Sequence, residues 1–130
     1  MRTILVVDDD PWVRVLARDV LAGEGYRVLE ASDGQDAIGV AAEHPGPIHL
    51  LLTDVTIPDM DGPALAAALR KERGRELRLL YMSGYADQAI VRHGVLDADV
   101  AYLPKPFTTE AIARRVRDVL DAPRPPGAPE

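Results

Sequence analysis

The side chains best suited to chemistry are the carboxylates of Asp8-Asp9-Asp10, the carboxylate of Asp54 at the end of Leu50-Leu51-Leu52-Thr53-Asp54, the hydroxyl of Ser83 and the ammonium of Lys105. Taken singly, each has an ordinary explanation. Carboxylates suit a helix entry near the positive end of its dipole, Ser is a turn former, and Lys is a solvated surface charge. What singles them out is their spacing, because each follows a short apolar run. If those runs are parallel strands, their carboxyl ends share one sheet edge, where ligands bind in open α/β sheets. Asp8, Asp9, Asp54, Ser83 and Lys105 then meet in one cleft, a coincidence hard to attribute to chance. His44, His49 and His93 are scattered and form no ligand spacing.

The elements that must position them follow from pattern. Thr3 to Val7 is a β-branched, apolar strand, and Asp10-Pro11 opens a helix with Asp10 as N-cap and Pro11 at the first helical position. Val13, Leu16, Ala17, Val20 and Leu21 form its apolar stripe, and Gly23-Glu24-Gly25 stops it. Tyr26 to Ala31 is a second strand. Ser32 and Gln35 stand at capping-box spacing before a helix running to about Glu43. Leu50 to Asp54, bounded by Pro45-Gly46-Pro47 and Pro58, reads as a strand buried on both faces. After the turn-rich Val55 to Gly62, a helix from Ala64 to about Glu72 ends at Gly74. Leu77 to Met82 is a fourth strand, Asp87 to His93 a short fourth helix, and Val100 to Leu103 a fifth strand. Thr108 or Thr109 caps a fifth helix striped by Ile112, Val116, Val119 and Leu120, with Arg114, Arg115 and Arg117 largely off the stripe. Alternating strands and helices predict a parallel sheet covered on both faces.

Composition narrows the function. The 130 residues, 47% of them apolar, suit one domain with one core. A net charge of -6, with basic residues dispersed among acids, argues against nucleic-acid binding and is compatible with cations. The absence of Cys excludes disulfides, thiolate metal sites and thiol nucleophiles. The N-terminal apolar run is too short for a signal core or a membrane span, so the chain reads as cytoplasmic. Residues 1–121 form the predicted domain. Residues 122–130, rich in Pro, read as a disordered tail or linker.

Together these motifs resemble the receiver domains of two-component response regulators. The matches are Val6-Val7-Asp8-Asp9, Leu51-Leu52-Thr53-Asp54, Pro58-x-Met60-Asp61-Gly62, Met82-Ser83-Gly84 and Lys105-Pro106-Phe107, spanning about Thr3 to Leu120. The resemblance implies a flavodoxin-like, five-stranded parallel sheet of order 2-1-3-4-5 with helices on both faces; a chemotaxis receiver is a standard example of that order. It implies that Asp54 accepts a phosphoryl group from the phosphohistidine of a histidine kinase or histidine phosphotransfer protein. It also implies that Asp8, Asp9, Asp54 and the Thr56 carbonyl hold Mg2+, with Mn2+ as a substitute, an all-oxygen set suited to such hard ions. Two carboxylates about 4 Å apart repel by about 4 kcal/mol at an effective dielectric near 20. Lys105 offsets part of this by pairing with Asp54, and the Ser83 hydroxyl hydrogen-bonds the phosphoryl group.

By the same resemblance, Lys105-Pro106 is a candidate cis peptide, and Pro104 beside it is less typical of the family. Ser83 and Tyr102 form a switch pair. They act on the face made by the fourth helix, fifth strand and fifth helix, which would meet a downstream protein or a second copy. Thr56 and Tyr85 tune how fast water removes the phosphoryl group. Trp12, the only Trp, lies near enough to the acidic pair to report metal binding by fluorescence. Such a protein is not an enzyme beyond its own phosphorylation and slow autodephosphorylation. Alternatives are a phosphorylation-independent docking module, or a small haloacid-dehalogenase-type phosphatase using Asp8 and Asp10. With no output module after the last helix, the chain reads as a stand-alone regulator, a relay intermediate or a receiver cut from a longer protein. Leu80 to Ala86, Gly94-Val95-Leu96 and Lys105 to Thr108 look similar to the terminal receivers of hybrid sensor histidine kinases.

Overall fold

In the computed structural model, residues 1–74, 76–83 and 101–122 are described. The helix expected over Asp87 to His93, the loop residue Tyr85 expected to tune phosphoryl loss, and the tail from Pro123 onward lie outside them. The first strands are apolar enough to be buried on both faces. β1 (Thr3–Val7) and β3 (Leu50–Asp54) are buried at every position. They sit at the centre of a parallel sheet of order β2-β1-β3-β6-β7, where β2 is Arg27–Ala31, β6 Arg78–Ser83 and β7 Tyr102–Pro104. This is the expected 2-1-3-4-5 order once a small hairpin is set aside. That hairpin, β4 (Thr56–Ile57) against β5 (Met60–Asp61), forms within the stretch whose sequence reads only as turns.

Because strand side chains alternate, each central strand feeds two cores. Ile4, Val6, Leu50, Leu52, Leu80 and Met82 face α1 (Pro11–Gly23) and the last described helix (Thr109–Asp121), meeting Leu21 and Ile112. Leu5, Val7 and Leu51 face α2 (Gly34–Glu43) and α3 (Gly62–Arg73), meeting Ala37 and Leu65. Leu16 departs from the expected stripe: it is 37% exposed, and Ala17 and Leu21 are the buried residues of α1. The core-facing arc of α1 is therefore narrower than its hydrophobic pattern.

Caps set the helix starts. Asp10 caps α1 through the Trp12 N–H, with Pro11 at the first position as expected. Asp33, not Ser32, caps α2 by accepting from Asp36 N–H, and the Asp36 carboxylate accepts from the Ser32 N–H. A charged acceptor one residue later outcompetes the hydroxyl for the helix end. Asp61 caps α3 through Ala64 N–H, which moves the start forward from Ala64 to Gly62. Thr108 caps the last helix.

β7 includes Pro104, one residue beyond the expected end of the fifth strand. The flanking bonds to β6 run from Tyr81 N–H to the Ala101 carbonyl and from Lys105 N–H to the Ser83 carbonyl, so Pro104 is asked for no donor. Lys105-Pro106 is cis, as expected.

Candidate functional site

Strand register brings the chemistry together. Val7 pairs with Thr53, Asp54 with Met82, and Ser83 with Pro104, so Asp8, Asp54, Ser83 and Lys105 emerge level at the carboxyl edge. Ligand atoms of Asp8, Asp9 and Asp54 lie within 4.8 Å of one another. Asp8 and Asp54 are buried and Asp9 is exposed, so the cluster is open on one side.

Lys105 spans the two buried carboxylates, its Nζ donating to Asp8 Oδ2 at 2.8 Å and to Asp54 Oδ2 at 2.9 Å. The pairing expected with Asp54 is present, and that with Asp8 is additional. Burial is the largest single influence on Lys105 and pulls its pKa down. The hydrogen bonds and charges of Asp8 and Asp54 together outweigh it, so the ammonium is held above its ordinary value. The second oxygen of Asp8 accepts from Asp10 N–H at 2.9 Å, and the backbone carbonyl of Asp8 accepts from Arg14 Nη1 at 2.6 Å. Arg14 was not evident from the sequence, where it sits among the residues of an ordinary amphipathic helix. Asp10 turns its own carboxylate to the α1 cap, employing it structurally.

Ser83 is fully buried, and its Oγ has no hydrogen-bond partner among the described residues. A buried hydroxyl without a partner costs about 1–3 kcal/mol. The Thr56 N–H faces Asp54 Oδ1 at a long 3.4 Å, and the Thr56 side chain is exposed. Gly62 packs closely against the Asp54 backbone. A β-carbon there would stand 2.7 Å from the Asp54 carbonyl oxygen and 3.0 Å from Tyr81 Cε1. Tyr102 is 39% exposed on β7, and its carbonyl accepts from Arg115 Nη2 at 2.9 Å. Trp12 is 83% exposed at the start of α1. Tyr85 lies outside the described residues, so the structure does not place it.

The model of the response regulator receiver domain matches residues 4–117. The chain belongs to that family. The receiver is 36% identical over 119 residues to the sensor kinase CckA of Brucella abortus, a match covering 92% of this chain and 12% of that protein. It is 38% identical over 129 residues to the response regulator MprA of Mycobacterium bovis, covering 98% of this chain and 54% of that protein. The chain thus spans a small part of one curated relative and about half of the other. Among solved structures, the receiver domain of the hybrid histidine kinase CckA superposes with a TM-score of 0.74 at 35% identity, covering 92% of this receiver and 99% of that one. No helix among the described residues is long and apolar enough to cross a membrane.

Proposed function

We propose that this receiver takes a phosphoryl group onto Asp54 from the phosphohistidine of a histidine kinase or histidine phosphotransfer protein. The observation that carries the reading is Ser83 Oγ, a buried donor without a partner among the described residues, at the same sheet edge as an Asp54 carboxylate already paired to Lys105. An incoming phosphoryl oxygen is the acceptor such a hydroxyl needs.

The three carboxylates and the Thr56 carbonyl are hard oxygen donors, and the open side at Asp9 leaves room for water, which fits Mg2+ or Mn2+. When bound, the cation supplies the positive charge that offsets repulsion between a carboxylate and a phosphoryl group. The remaining work falls to the chain. A carboxylate oxygen of Asp54 attacks phosphorus, a P–O bond forms, and the P–N bond breaks with its electron pair returning to the donor imidazole. Lys105 moves from Asp54 to a phosphoryl oxygen, and Ser83 donates to another. The Ser83 movement opens space for the Tyr102 ring. This alters the face that includes β7 and the last helix, where a downstream protein or a second copy docks. Thr56 and Tyr85 set how readily water removes the phosphoryl group. On this reading the receiver is cytoplasmic and catalyses only its own phosphorylation and slow autodephosphorylation.

The test is intact mass after incubation with Mg2+ and acetyl phosphate, for the parent and Asp54→Ala. The parent gains one phosphoryl mass only with metal, and the variant gains none. No gain in the parent points to a docking module or to strict dependence on a protein donor, and labelling retained in Asp54→Ala points to Asp8 as nucleophile.

A further inference from the structure

The turn of the β4–β5 hairpin is tied to a helix distant in sequence. The Asp59 carboxylate accepts from the first two N–H groups of α2: Gly34 N–H donates to Oδ1 at 2.8 Å and Gln35 N–H to Oδ2 at 2.9 Å. Alongside it, the Met60 side chain occupies the space that a β-carbon on Gly34 would need, its sulfur 2.5 Å from that point. Helix α2 already has its own cap, because Asp33 accepts from Asp36 N–H. A second carboxylate on the same helix end, brought from across the fold, therefore joins two segments as well as finishing a helix.

The joined segment carries Thr56. Thr56 pairs with Asp61 across the hairpin, and the hairpin base is fixed on α3 by Gly62 N–H donating to the Val55 carbonyl at 2.6 Å and by the Asp61 cap. Ile57 packs into the core and sets the depth of the hairpin, but apolar packing has no direction. The paired hydrogen bonds of Asp59 supply direction at the opposite end from α3.

We infer that Asp59 is a positioning residue for the cation end of the site: by holding the hairpin turn on α2 it aims the Thr56 carbonyl and raises the affinity of the Asp8, Asp9 and Asp54 cluster for a divalent cation. This rests on the proposed function, in which Thr56 contributes that carbonyl. Groups that orient metal ligands from one layer out commonly change affinity by 10–100-fold when removed.

The test is calorimetric titration of the full chain with Mn2+ alone, comparing the parent with Asp59→Ala, Asp59→Asn and Asp33→Ala. Asp59→Ala weakens binding by about 10-fold, and Asp59→Asn recovers part of the loss because one oxygen still accepts. Asp33→Ala removes the same charge from the same helix end without touching the hairpin, and it stays within about twofold of the parent. Affinity unchanged in Asp59→Ala, or an equal loss in Asp33→Ala, overturns the inference while leaving Mn2+ binding by the parent in place. Absence of Mn2+ binding in the parent overturns the functional reading and this inference together.

Discussion

Under the proposed function, the Ser83 hydroxyl is a cost before phosphorylation and a contact after it. It is buried without a partner among the described residues, while the buried hydroxyl of Thr53 donates to the Asp54 carbonyl at 3.0 Å. Ser83→Ala removes the uncompensated hydroxyl, so the unphosphorylated protein becomes more stable by about 1 kcal/mol in a denaturant melt. On the proposed function the same change also removes a donor to the phosphoryl group, and the initial rate of labelling by acetyl phosphate falls by about 10-fold or more. Lower stability with an unchanged rate would make the hydroxyl a structural group only. Lys105 is the opposite case, since its partners are in place before any ligand comes.

Two glycines give a contrast at the scale of elements. Gly62 opens α3 against backbone, and Gly34 opens α2 against the flexible Met60 side chain. Gly62→Ala forces the Asp54 carbonyl or the Tyr81 ring to shift and costs about 1–3 kcal/mol. Gly34→Ala costs less, because Met60 can change rotamer; equal losses in paired thermal melts would refute the distinction. The tie between α2 and the hairpin also carries a pH signature. The Gly34 N–H, then the Gln35 N–H, hold the Asp59 carboxyl below its usual value. Its stabilisation is therefore complete above the unfolded value near about 3.9 and is lost as pH falls through the lower folded value. A carboxyl NMR titration gives an Asp59 midpoint below that of an ordinary Asp, and Asp59→Asn flattens the corresponding part of the acid stability profile. Helices, strands and the carboxyl-edge cluster could be read from sequence because periodicity, caps and apolar runs are local signals. The hairpin, the Asp59 tie, Arg14 on the Asp8 carbonyl and the second partner of Lys105 could not, since each depends on residues that only the fold brings together. The choice of Asp33 over Ser32 was a contest between adjacent caps that spacing alone does not decide.

For the molecule as a whole, the sheet divides the interior into two layers, one containing Ile112 and the other Leu65, both fully buried. Leu65→Ala and Ile112→Ala each cost about 2–5 kcal/mol in equilibrium unfolding. Their effects add in the double variant to within about 0.5 kcal/mol, because they lie in separate core clusters; a larger discrepancy would mean that the layers respond as one. The sheet's two borders carry a further consequence. β7 is three residues long, contains Pro104 and has its Tyr102 carbonyl occupied by Arg115. On the far side, β2 bears Arg27 and Glu30, the latter bridged to Arg18 at 3.3 Å. Short length, proline and charge are the features that deny an incoming strand a template. Neither border of the sheet formed by the described residues therefore offers a second copy of this chain a long, unguarded edge on which to add a strand.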